Sequence, residues 1–174
     1  VLTNATRLSI LPLELIASGS AIAIFPTLSL LGAQGKLGEV RAQLWAVLRR
    51  VMKLILIATA GLIVLAFPLV RILFQYGQFS ASDATFTAQI LMLASLCLPG
   101  LAAQQLLARG FFALGDTKTP AIAGAISMAL FGVLCAIFWS MGTFGVTLAS
   151  VVSVSVLALL LWRGLSRKLP QNSA

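Results

Sequence analysis

Five apolar runs, at about residues 8–31, 52–74, 84–108, 120–141 and 144–162, dominate the sequence. Each is close to the roughly 20 residues that a helix needs to cross a bilayer. In lipid every backbone N–H and C=O has to be satisfied within the protein, so runs of this length and number resolve into helices. Composition points the same way. Hydrophobic residues make up 60% of the 174 and charged residues 9%, whereas soluble domains carry about 25% charged residues. A soluble fold this apolar would expose large adhesive patches, and a disordered chain would leave too much apolar surface in water. The expectation is an all-α, polytopic transmembrane helical bundle of about five spans, with residues 1–174 forming a single bundle. The chain opens on Val1 and carries no visible signal peptide, which reads as a piece of a longer protein.

The net charge of +8 would point to nucleic acid in a soluble domain. Here the cations sort by loop instead, and no nucleic-acid partner is expected. The first loop holds Lys36, Arg41, Arg49, Arg50 and Lys53. The third holds Arg109 and Lys118, and the C-terminal end holds Arg163, Arg167 and Lys168. The second and fourth loops have no Lys or Arg. Positive loops stay in the cytoplasm, so the N-terminus of this segment is placed outside and its C-terminus inside. Arg71, near the outer end of the second span, is within snorkelling reach of the interface. Residues 35–50 are amphipathic, with Leu37, Val40, Leu44, Val47 and Val51 at helical spacing. They read as a cytoplasmic connector, either a helix lying on the inner leaflet against anionic lipid or a solvated link.

Punctuation supports the boundaries. Ser80-Ala81-Ser82-Asp83 fits a capping box, Thr119-Pro120 fits a cap residue before a first-turn proline, and Gly142 and Gly145 bracket a turn. Pro99-Gly100 predicts a kink in the third span, either a hinge or a simple bend. Gly145, Ala149 and Ser153 fall four apart, a ridge for close helix packing.

Few residues could carry chemistry. There is no His. Cys97 and Cys135 sit inside apolar runs and read as small core residues. No nucleophile–base pair, phosphate-cradling glycine loop or metal cluster is present in the sequence, so no enzyme, cofactor or metal site is expected. Arg7 and Glu14 stand out, because ionisable groups in spans are costly. Seven residues apart, they share a helix face that Leu11, Ser18, Ala21, Ile22 and Phe25 continue. Either this helix lines a hydrated cavity in which Arg7 holds an anion, or Arg7 sits at the interface and Glu14 pairs with a distant cation. Gln89, Gln104 and Gln105 in the third span serve as interhelical glue or as cavity lining.

Three stretches, in order, carry a family resemblance: "ATRLSILPLELIASGSAIAIFPTLS", "LFQYGQFSASDA" and "RGFFALGDTKTP". Together they resemble the MurJ/MviN family of lipid II flippases over nearly the whole chain, to about Lys168. The resemblance implies helices eight to twelve of a fourteen-helix protein, most of its second lobe, with the first lobe missing. It implies a bacterial cytoplasmic (inner) membrane location and alternating access around a cationic cavity. The partners it implies are lipid II or a related undecaprenyl-pyrophosphate-linked glycan, together with membrane lipids. Arg7 falls on a family position that helps hold the pyrophosphate, with Glu14 and Ser18 as further candidate substrate-binding residues. Some family members hold sodium with acidic and amide side chains on the helices matching spans four and five. This chain has no Asp, Glu or Asn there, so the coupling ion is unspecified. In the third loop Gly115 and Asp116 make the turn, Thr119-Pro120 restart the helix, and Arg109 and Lys118 mark the inner side. The rival readings are export of another lipid-linked oligosaccharide and a non-transporting scaffold for cell-wall synthesis partners.

Overall fold

The computed structural model describes residues 13–74 and 81–169. Among these residues all regular structure is helical. A π-helical segment, Leu13–Ser18, leads into α1 (Gly19–Ala33). Next come α2 (Leu37–Phe74), α3 (Ala81–Ser95), α4 (Cys97–Ala113) and α5 (Lys118–Ile137). A 3-10 turn at Trp139–Met141 leads into α6 (Gly142–Lys168). Among the described residues, four helical stretches are long and apolar enough to cross a membrane: Leu37–Ile72, Thr85–Ala113, Lys118–Ile137 and Trp139–Lys168. The first predicted span begins outside the described residues, and its described part contains the shorter apolar helix α1. Ser80 of the expected capping box also lies outside them.

α2 departs most from the expected boundaries. It has 38 residues and so measures about 57 Å at 1.5 Å per residue, against a hydrocarbon core of about 30 Å. Residues 37–50 are its opening turns. No glycine or proline interrupts residues 39–60, and Val40, Leu44, Leu48, Val51 and Ile55 are all buried in the main core. That core also takes Leu28 from α1, Leu98 and Leu106 from α4, and Leu161 and Leu165 from α6. α4 is central, packing against α1, α2 and α6.

The kink expected in the third span is a break at Leu96, between α3 and α4. Pro99 has no N–H to return to the carbonyl four residues earlier, at Ser95. The chain tightens there, with the Leu96 N–H bonding the Leu93 carbonyl at 3.2 Å.

Many large apolar side chains face outward, as lipid requires. Met128 is 78% exposed and Val64 75%. Without a hydrophobic force between helices, association in lipid rests on close packing and interhelical hydrogen bonds. The ridge of Gly145, Ala149 and Ser153 is buried as predicted. A Cβ on Gly145 would stand 2.3 Å from the Phe138 carbonyl oxygen, and Ser127 of α5 donates to the Ser153 carbonyl at 2.8 Å. At the end of the bundle where α1 meets α4, a Cβ on Gly32 would stand 2.3 Å from the Ala113 carbonyl oxygen. Trp45 and Trp162 meet edge to face, centroids 6.4 Å apart, and Arg41 donates to the Leu169 carbonyl at 2.9 Å.

Candidate functional site

Of the three predicted site residues, Arg7 lies outside the described residues. Glu14 is exposed on the π-helical segment. Ser18, at the end of that segment, faces α4 and donates from Oγ to Gln105 Oε1 at 3.1 Å. Single-turn widenings of this kind recur where a helix re-aims side chains at a functional site.

Ser18 borders an open cavity of about 390 Å³ between α1 and α4. Ala21 and Ile22 line its α1 wall. Gln104, Gln105, Ala108, Arg109 and Phe112 line the α4 wall. The predicted face of the first span therefore does border a cavity at Ser18, Ala21 and Ile22, while Glu14 is not among the lining side chains. Phe25, on the same face, lies under the Arg109 guanidinium, 5.4 Å from carbon Cζ to ring centroid. Gln105 plays both roles considered for it, bridging two helices and lining the cavity.

Arg109 is the residue that sequence reasoning misses, because there it reads as a marker of loop orientation. A signal for it does exist. Gln104, Ala108 and Phe112 repeat every four residues, and Gln105 and Arg109 follow one place behind, so all five share one helix face. A face carrying two amides and a guanidinium in an apolar helix is what a wet wall needs.

Arg109 also opens the polar stretch that ends at Pro120. There Gly115 has φ of +71°, a conformation that suits a residue without Cβ. Thr117 precedes the first helical residue, and the Asp116 side chain, rather than that of Thr119, takes the free amides at the start of α5. Its Oδ1 accepts from the backbone N–H of Lys118 at 3.1 Å and of Thr119 at 3.0 Å. Its Oδ2 accepts from the Thr119 hydroxyl at 2.5 Å and from the Lys168 ammonium. Thr119 is spent as a donor to Asp116, and Pro120 is the third residue of the helix. The Lys168 ammonium, then the Thr119 hydroxyl and amide, hold the Asp116 carboxyl well below the usual carboxylate range. Lys168 also lies over the Phe111 ring at 5.8 Å. The third loop thus ties the start of α5 to the end of α6.

The family model described as lipid II flippase MurJ matches residues 1–174. The chain belongs to the MurJ family. A probable lipid II flippase MurJ from Rhizobium meliloti is 34% identical over 169 residues, covering 94% of this chain and 32% of that protein. One from Vibrio cholerae is 35% identical over 161 residues, covering 91% of this chain and 30% of its own length. A solved structure of lipid II flippase MurJ in an inward closed conformation superposes with a TM-score of 0.82 at 28% identity. It covers 94% of this chain and 34% of that one. This chain therefore spans about a third of the length of the MurJ relatives it matches.

Proposed function

We propose that the protein flips lipid II, the lipid-linked peptidoglycan precursor, across the bacterial cytoplasmic membrane by alternating access. In this reading the bundle is part of one lobe, and a second lobe completes a cationic cavity near the bilayer midplane. The head group crosses through that cavity while the prenyl tail stays in lipid. The wet face of the first span and α4 is the wall this chain contributes. Arg7 engages the pyrophosphate, since a guanidinium fork matches phosphate oxygens. Glu14, seven residues on, supplies its counter-charge, and Ser18 adds a hydroxyl. The loop charges set the N-terminus of the segment outside and its C-terminus inside. The opening turns of α2 lie at the inner interface, where Lys36, Arg41, Arg49 and Arg50 meet anionic lipid.

The observation that carries the reading is a cavity lined by a hydroxyl, two amides and a guanidinium in an otherwise apolar bundle, in a member of a lipid II flippase family. The test is growth rescue of cells depleted of their own lipid II flippase. The full-length protein is expected to restore growth, and its Arg7→Ala variant is expected to fail while reaching the membrane at wild-type abundance. Rescue by Arg7→Ala at equal abundance would remove the anchoring role. Failure of the wild-type protein to rescue would remove the flippase reading itself.

A further inference from the structure

Among the described arginines, five are exposed and two, Arg41 and Arg109, are half-buried. Arg41 spends a donor on the Leu169 carbonyl. Arg109 is held differently. Its contact among the described residues is the face of Phe25 at 5.4 Å, and no carboxylate there pairs with it. A ring beneath a guanidinium helps hold its position without consuming its N–H donors. Arg109 also lies one turn before the end of α4 at Ala113. An arginine there could snorkel outward, yet this one lines the cavity instead.

The remaining polar groups of the cavity match it. With Gln105 Oε1 accepting from Ser18, the Gln105 amide nitrogen keeps two donors. Gln104 supplies a second amide, and among the described residues no acidic side chain lines the space. The volume falls within the range of small-molecule sites, about 300–1,000 Å³. We infer that Arg109, with Gln104 and Gln105, forms an anion station of its own that receives a phosphate of the transported lipid's diphosphate, in addition to the role proposed for Arg7. The inference rests on the flippase reading. In it, the wall between α1 and α4 holds the head group at the α4 side of the cavity.

A phosphate here could also come from a bilayer phospholipid, so the test has two arms. The full-length protein is placed in nanodiscs of neutral phosphatidylcholine, and binding of undecaprenyl diphosphate and of added phosphatidylglycerol is titrated separately. Losing a bidentate charge-assisted contact is expected to weaken diphosphate binding about tenfold or more in Arg109→Gln. Arg109→Lys, which keeps the charge and loses the fork, is expected to fall between that variant and wild type. Phosphatidylglycerol binding is expected to stay unchanged in both. Thermal unfolding of each variant checks that it is folded, and Gln104→Ala, expected to lose a few-fold, provides a reading independent of Arg109. Unchanged diphosphate affinity in folded Arg109→Gln, or in Arg109→Lys and Gln104→Ala where Arg109→Gln does not fold, overturns the inference. So does a loss confined to phosphatidylglycerol. Flipping by the wild-type protein, measured in parallel, keeps these outcomes distinct. If wild type flips lipid II and Arg109→Gln binds it normally, the Arg109 station falls and the flippase reading stands.

Discussion

Replacing Gly32 with alanine tests how the wet wall is held. In a helix interior alanine is favoured over glycine by about 1 kcal/mol, so propensity alone predicts a more stable protein. At Gly32 the added methyl would stand 2.3 Å from the Ala113 carbonyl oxygen and 3.2 Å from its carbonyl carbon. Both obstacles are backbone, so relief requires α1 and α4 to separate by roughly 1 Å, an overpacking strain that costs about 1–3 kcal/mol. The strain outweighs the propensity gain, leaving Gly32→Ala destabilised by up to about 2 kcal/mol. Gly124 of α5 provides the control, because a Cβ there meets nothing within 4 Å. Gly124→Ala should be neutral or stabilising by up to about 1 kcal/mol. Equilibrium unfolding of the full-length protein in lipid nanodiscs, followed by circular dichroism, reads both. Because Ala113 is one turn beyond Arg109, Gly32→Ala should also loosen the Arg109–Phe25 contact and reduce lipid II flipping. If Gly32→Ala proves as stable as Gly124→Ala, the close approach of α1 and α4 is refuted.

Further outcomes follow from the third loop and the α5–α6 contact. The folded-state pKa of Asp116 is depressed. Its stabilising contribution is therefore present above the ordinary carboxylate value of about 3.9 and is lost as pH falls from there toward the lower folded value. Acid unfolding of wild type should show this loss, whereas Asp116→Asn, which keeps a cap residue but cannot titrate, should lack that component. A pH profile identical in the two proteins would contradict the Lys168–Asp116 contact. Ser127→Ala removes the hydrogen bond to the Ser153 carbonyl and should cost about 0.6 kcal/mol, the average for such bonds in membranes. Denaturation of Ser127→Ala beside Ser155→Ala, whose hydroxyl bonds within its own helix, checks this, and equal costs would deny a special role to the interhelical bond.

The bundle is legible in the sequence because apolar length alone dictates helices in lipid, and the Gly145–Ala149–Ser153 ridge is legible from its spacing. What escapes depends on competition between neighbours. Asp116 and Thr119 are both good cap residues three places apart, and only folding shows that Asp116 reaches the free amides while Thr119 is consumed in supporting it. The start of α2 falls earlier than expected because residues 35–50 read as an amphipathic connector separate from the second span, although nothing between residues 39 and 60 breaks a helix. The π-helical segment changes the phase of the first span between Glu14 and Ser18, so a regular period of 3.6 carries a face across it incorrectly. Arg109 escapes notice because a cation near the end of a span satisfies the positive-inside pattern. Its place over Phe25 is a tertiary fact that spacing within one helix does not contain.

Transport along this wall requires the face at Ser18 to be wet and crossed by substrate. In the full-length protein with Cys97→Ala and Cys135→Ala, Ser18→Cys can be probed with a membrane-impermeant, charged thiol reagent. Met128→Cys, on the apolar outer surface of α5, serves as the comparison. Ser18→Cys is expected to be labelled readily, accumulated lipid II is expected to slow the labelling, and Met128→Cys is expected to stay unlabelled. A Ser18→Cys thiol as inert as Met128→Cys, or one labelled at the same rate with and without lipid II, would contradict transport along this wall.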